Sequence, residues 1–448
     1  MTDESDQFLQ AEKGEEYSGG LNNTVFSTSM NAFGFQSPGL TGNDELFFFV
    51  GNSFFNQSWV SSPASTTARD GIGPTFNAFA CSSCHFKDGR GRAPNFPGET
   101  SSGLLLRLSI DGVDQFGGPK PHATYGDQLQ DKSVNTVLNE GLVNVAYEEL
   151  EGRFPDGEKY SLRNPTYSIT NLNYGALPSN IKVSPRVAQH VIGMGLIEAI
   201  DKADIEINED VFDGDADGIS GKANYVWSFE RNQLMLGRFG WKANQPSVSQ
   251  QTAAAFHGDM GITTPLFKTQ NCPTPQIDCS NAPNGGDPEI TQLNFEHVTL
   301  YVSNLAIPAR RSHDDQEVLK GKQFFHKIGC GNCHKASYNT GGVSKFRNLT
   351  NQKIWPYSDF LLHDMGDALA DNRPDYLADG NEWRTPPLWG VGLIETVNGH
   401  TNFLHDGRAR SIEEAILWHG GEAKNAQEAY INLPKIERKK LIKFINSL

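Results

Sequence analysis

Two short motifs constrain this chain more than anything else in it. Cys81-Ser82-Ser83-Cys84-His85 and Cys330-Gly331-Asn332-Cys333-His334 both read C-x-x-C-H, and they use four of the six cysteines. C-x-x-C-H is the attachment signature for c-type haem. The spacing follows from the chemistry. Two thiols add to the two vinyl groups on one porphyrin edge, and the adjacent imidazole becomes the proximal iron ligand. A zinc site built on C-x-x-C needs two further soft ligands nearby, and a thioredoxin-like pair does not need the histidine. The motifs therefore predict two covalently bound haem c groups, with Cys81, Cys84, Cys330 and Cys333 as attachment points and His85 and His334 as proximal ligands.

Haem c is attached outside the cytoplasm, so an exported, periplasmic protein is expected. The remaining pair, Cys272 and Cys279 in CPTPQIDC, is placed for a local disulfide of the kind oxidising compartments preserve. Two free buried thiols are the alternative. Residues 1–20 are acidic and polar and cannot act as a secretion signal. The expectation is a mature form whose leader has been removed and to which Met1 has been added. No run of eighteen apolar residues is present, so no membrane-spanning segment is predicted.

The net charge of −15 disfavours nucleic acid and anionic membranes and would steer a basic protein partner. It could equally serve solubility alone. At 448 residues the chain exceeds one ordinary domain. The two motifs lie about 250 residues apart, and each follows a similar apolar lead-in: Glu45-Leu46-Phe47-Phe48-Phe49-Val50-Gly51 with Phe54-Phe55, and Glu317-Val318-Leu319-Lys320-Gly321-Lys322-Gln323-Phe324-Phe325. This reads as a diverged internal duplication. The expected fold is mainly α. A cytochrome c-like haem domain spans 1–312, with 201–300 as an elaboration, and a compact helical one spans 313–448. Short β insertions are expected at 103–110 and 222–230. In the second domain, helices are expected at 411–419, started by Ser411, and at 435–448.

Further motifs carry a resemblance. Arg384-Thr385-Pro386-Pro387-Leu388, Phe403-Leu404-His405-Asp406-Gly407 and Ile412-Glu413-Glu414-Ala415-Ile416 are similar to the pattern of bacterial di-haem cytochrome c peroxidases, shared by the methylamine-utilisation di-haem enzyme. The segments GRFGWKA (237–243), LLHDMGD (361–367), EWRTPPLWG (382–390) and LHDGRARSIEEAILWHGGEA (404–423) more closely resemble the di-haem oxidoreductase family predicted as peroxidases or thiol oxidoreductases. The likeness covers nearly the whole chain. It implies one six-coordinate haem that relays electrons and one with an open face where hydrogen peroxide binds.

The resemblance also implies site residues. In the peroxidases the distal ligand of the C-terminal haem lies fourteen residues past the HDG histidine. Here that position is His419, where the peroxidases have methionine. A bis-histidine iron would have a lowered potential. Ligation by His419 is the favoured reading; a helix-end histidine facing the C-terminal dipole is the alternative, and Met365 is the rival ligand. At the N-terminal haem the family's displaceable distal histidine falls sixteen residues past His85, at Ser101, which favours an open iron. His122, His190 and His257 lie in the same half and could be ordinary polar histidines. The implied acid/base is Glu198, the one carboxylate in an apolar run, where burial would raise its pKa; a surface glutamate is the alternative. Arg163 and Gln189 are weaker candidates for polarising bound oxygen. Tyr174 and Trp241 are candidates for the aromatic bridge between the haems.

Asp213-Gly214-Asp215-Ala216-Asp217-Gly218 begins like an EF-hand calcium loop. Position twelve is Asn224 rather than glutamate, so the full motif fails. A shorter calcium loop and a turn of solvated aspartates both remain open. Thr385 could contribute a backbone oxygen to calcium, as near the TP segment of the peroxidases. The expected activity is periplasmic reduction of hydrogen peroxide at the N-terminal haem. A small cytochrome or another redox protein would donate the electrons. Oxidation of a partner protein or organic substrate, or electron carriage without catalysis, are the other readings. No free reactive cysteine supports a thiol oxidoreductase.

Overall fold

The computed structural model describes residues 4–99 and 103–448. It corrects the mainly-α expectation. Only 27% of the chain is helical and 19% is strand, and the twelve helices are short. The longest runs Asn43–Asn56. Among the described residues the strands form six two-stranded sheets and one three-stranded sheet. The physical reason lies in the punctuation of the chain. Its 45 glycines and 23 prolines interrupt helical runs before they lengthen, because glycine and proline are the poorest helix formers. The helix that bears the first motif, Cys81–Cys84, ends at His85, and Lys87 and Asp88 follow with positive φ.

The expected strands at 103–110 and 222–230 form as Leu104–Val113 and Tyr225–Ser228. The largest β feature was not expected: a long hairpin, the arm, pairing Leu142–Arg153 with Lys159–Thr170 in unbroken antiparallel register. The arm's tip reaches the C-terminal helix Lys435–Ile445. Phe154 joins a buried cluster with Tyr430, Leu441, Phe444 and Ile445. The Arg438 guanidinium lies 3.7 Å from the centre of the Phe154 ring and donates to Asp156 and Glu158.

The duplicated lead-ins become two similar frames. Helix Asn43–Asn56 crosses Gln292–Ser303 at Gly51, and helix Gln316–Lys327 crosses Lys435–Ile445 at Gly321. A Cβ at Gly51 would lie 2.1 Å from the His297 oxygen, and one at Gly321 would lie 2.0 Å from the Lys440 oxygen. Neither crossing tolerates a side chain. One helical turn on from each glycine, Phe55 packs 6.2 Å from the His85 ring and Phe325 packs 6.1 Å from the His334 ring. Each phenylalanine also meets an aromatic of the crossing helix, Tyr301 at 5.2 Å and Phe444 at 5.1 Å. The likeness of the two halves shows in these frames and the motifs they carry. Ser411 starts its helix as expected, accepting from the Glu414 amide at 3.0 Å.

Several contacts cross residue 312. Glu15, fully buried, pairs with Lys322 at 2.7 Å as well as with Arg310 at 2.9 Å, and the Asn23 side-chain amide donates to the Asn348 oxygen. Strand Thr24–Val25 pairs with Ile307–Pro308 on the N-terminal side of that residue.

Candidate functional site: one cavity holding both motifs

The two C-x-x-C-H motifs, far apart in sequence, open on the same cavity of about 500 Å³. Cys81, Cys84, His85, Cys330, Cys333 and His334 all line it. The imidazoles share one device. His85 Nδ1 is 2.6 Å from the Gln189 carbonyl oxygen, and His334 Nδ1 is 2.9 Å from that of Tyr357. A carbonyl at Nδ1 fixes the tautomer with the proton there, so Nε2 is left as a free electron pair. Burial lowers the pKa of both, that of His334 to about 4, and keeps the rings neutral as iron ligation requires.

His419 repeats the device. It lines the cavity, and its Nδ1 is 2.6 Å from the Ala415 carbonyl one turn back. It lies near enough to His334 to depress that residue's pKa. Met365 also lines the cavity. His363 does too, but both its nitrogens are engaged, Nε2 by Asp359 at 2.8 Å and Nδ1 by Glu422 at 2.6 Å.

The first site is arranged differently. Among the described residues no second imidazole of this kind faces His85; Ser101 lies outside them. His190 lines the cavity, but it directly follows the carbonyl that holds His85, so it starts from the His85 side. His122 and His257 are not lining residues. His122 Nδ1 accepts the Thr124 and Tyr125 amides, and His257 contacts the Thr269 oxygen.

The structure does not bring Glu198 to the cavity. It is exposed, and its Oε1 accepts the Val248 amide at 2.7 Å, at the start of helix Val248–Met260. Nearby protein raises its pKa by desolvation, opposed by that amide and Arg238. Solvent exposure weakens such a shift, so the carboxylate serves as a helix-end acceptor. Arg163 is also elsewhere: it donates to the Gly407 and Arg408 carbonyls and lies over Tyr147. Gln189 does line the cavity.

Of the two bridge candidates, Trp241 lines the cavity, with its Nε1 donating to the Val187 oxygen at 2.8 Å. Tyr174 packs in a separate cluster with Leu106 and Leu108. Sequence reasoning missed Trp383, which also lines the cavity and stacks on His405 at 3.9 Å and 11°. The segment EWRTPPLWG was the available signal, since it places a tryptophan beside a motif already singled out.

The acidic loop forms with one substitution in its membership. Asp210, Asp213 and Asp215 converge, with ligand atoms within 4.8 Å of one another. Asp217 turns away, accepting the Ile219 amide and the Asn332 side chain at 3.2 Å. Asp210 was overlooked because it precedes the D-x-D-x-D pattern. The Thr385 carbonyl is taken by Ser358 and Arg384.

The family described as "Di-haem oxidoreductase, putative peroxidase" matches residues 13–448. The chain belongs to this family. No curated protein and no solved structure matches it. Its membership makes it an oxidoreductase with haem cofactors, and the site fits them. For a di-haem oxidoreductase the donor set is complete at both motifs. Two thiols and one neutral imidazole stand at each, on the wall of one shared cavity, with each imidazole held by a carbonyl behind it.

Proposed function

We propose that this di-haem oxidoreductase is an exported, periplasmic enzyme that reduces hydrogen peroxide at the N-terminal haem with electrons relayed by the C-terminal haem. Both haems are held as haem c, through Cys81 and Cys84 and through Cys330 and Cys333. The observation that carries the reading is the asymmetry of the two sites. His334 and His419 form a carbonyl-anchored pair at the second, while at the first His85 has no second carbonyl-anchored imidazole among the described residues. Bound haem would supply redox-active iron, held at the second site by His334 and His419 and at the first by His85.

The chain's own residues do the rest. Gln189 and Tyr357 orient the proximal imidazoles through their carbonyls, and Ala415 orients His419. Trp241 and the Trp383–His405 stack fill the wall between elements of the two halves and offer a path for electrons. Reduction consumes two electrons and two protons per peroxide and releases two waters. The donor is a small cytochrome or another redox protein with a basic face, steered by the net charge of −15. The disulfide Cys272–Cys279 supports export to an oxidising compartment.

The test is an EPR spectrum of the fully oxidised protein before and after stoichiometric peroxide. A high-spin ferric signal beside a low-spin bis-histidine signal is expected, with the high-spin signal lost on addition. Two low-spin signals indifferent to peroxide, with or without pre-reduction, would leave an electron carrier instead.

The loop of Asp210, Asp213 and Asp215 is read here as a calcium site, because hard carboxylate oxygens converge on a glycine-rich turn. Calcium at a hundred times its Kd should stabilise EGTA-treated protein by about 2.7 kcal/mol. Asp213→Asn should remove that gain in a thermal melt, and a melt insensitive to calcium would dismiss the site.

A further inference from the structure

Beside Trp241, four donor groups converge on the cavity, and among the described residues none of them has a carboxylate at hydrogen-bond or ion-pair distance. Arg90 and Arg384 are 8% and 3% exposed, and both line the cavity. Arg90 lies over the Trp241 ring at 5.1 Å, and the Arg384 amide donates to the Trp241 oxygen at 2.8 Å. Their side chains contact only neutral acceptors. Arg90 donates to the carbonyls of Asn402 and Leu404. Arg384 donates to those of Gly240 and Thr385 and, at 3.1 Å, to Gln189 Oε1. Among the described residues neither guanidinium has a carboxylate partner within ion-pair distance.

The other two groups are unpartnered. Gln189 Nε2 is buried without an acceptor. His190 has no hydrogen-bond partner among the described residues, and its pKa is depressed to about 3 by burial and by Arg90, Arg384 and His85. Buried charges are kept only when paired, and buried polar atoms are nearly always hydrogen-bonded. Two desolvated guanidiniums, an orphaned amide and an imidazole facing one space therefore describe half of an ion-pair network.

We propose that Arg90, Gln189, His190 and Arg384 form a carboxylate-binding nest whose occupants are the propionate groups of the haem held by His85. The inference rests on the reading that haem is attached at the first motif. Gln189 links the two functions. Its carbonyl holds the His85 ring, and its side chain, through Arg384, belongs to the nest. Guanidinium forks match carboxylates bidentately, and planar donors at the rim would fix the porphyrin's tilt about the iron–histidine bond. A free small carboxylate offers the same chemistry, and the position beside the proximal carbonyl favours the propionates.

Resonance Raman spectra of the holoprotein, through the propionate bending band, test this together with potentiometry. Each variant is first shown by mass to carry two haems. Arg384→Gln and the isosteric Gln189→Glu should each shift the band and lower the midpoint potential of one haem, leaving the other unchanged. Added succinate should alter neither readout in the wild type. A band that responds to succinate but not to the substitutions would assign the nest to a free carboxylate and overturn the propionate assignment. No response to either substitution or to succinate would overturn the nest altogether. Neither measurement involves peroxide, so its outcome is separate from that of the peroxidase reading.

Discussion

His419→Met raises the midpoint potential of the C-terminal haem by on the order of 0.1 V or more, within the roughly 0.8 V that axial ligation spans. The imidazole at this position is anchored at Nδ1 by the Ala415 carbonyl, so it is a preoriented and basic donor that favours ferric iron. A thioether favours ferrous iron. The iron stays low-spin in the variant, so the change is in potential and ligand-field signature, read by potentiometry and EPR. His419 is partly exposed to the cavity, and its replacement should leave the melting curve nearly unmoved. An unaltered potential and an unaltered low-spin spectrum would show that another group, Met365 first among them, ligates this iron.

Glu140→Gln removes a pH-dependent loss of stability of several kcal/mol. Glu140 is 1% exposed, and no cation is among the groups that act on its carboxyl. Its Oε1 accepts from Gln276 at 2.6 Å and its Oε2 from the Gln130 amide at 2.7 Å. Burial pushes its pKa from 4.5 up to about 8, more than those two donors pull it down. Between those values the folded chain keeps a proton that the unfolded chain has released. The group's contribution is thus fully present below pH 4.5 and is lost as pH rises through about 8. The shift corresponds to roughly 5 kcal/mol at most. Unfolding free energies measured across this range should fall less steeply with pH in the variant, and parallel curves would show that Glu140 titrates normally. The consequence reaches the cavity. Gln130 also donates to the Gly258 oxygen, in the helix whose Ala255, Asp259 and Met260 line it.

What could be read in the sequence was whatever is encoded locally. The C-x-x-C-H motifs carry their chemistry within five residues, and the disulfide Cys272–Cys279 closes over a separation of only 7. Ser411 announces its helix through a bond three residues on. His419 reaches the cavity two residues past the short helix Ile412–Leu417, whose start Ser411 marks locally. The acid/base at Glu198 was inferred from an apolar neighbourhood in sequence. In three dimensions that run buries Leu196 and Ile197 and turns the carboxylate outward, since one face of a five-residue helix must meet solvent. The arm escaped notice because Glu148, Glu149 and Glu151 mask the alternation of Val143, Val145 and Tyr147. Arg90 and Arg384, nearly three hundred residues apart, meet only through the fold. No local pattern records such a convergence.

The arm bears on how the molecule comes apart. Its root pairs beside the cluster of Leu106 and Leu108, against which Val143 and Ile169 pack. Its tip buries Phe154 among the last helices of the chain. Heat cannot loosen those helices without stripping the tip, nor unzip the hairpin without exposing both clusters. A chain of 448 residues would ordinarily melt piecewise. Stitched across in this way, it should lose its halves together, in a single sharp calorimetric transition.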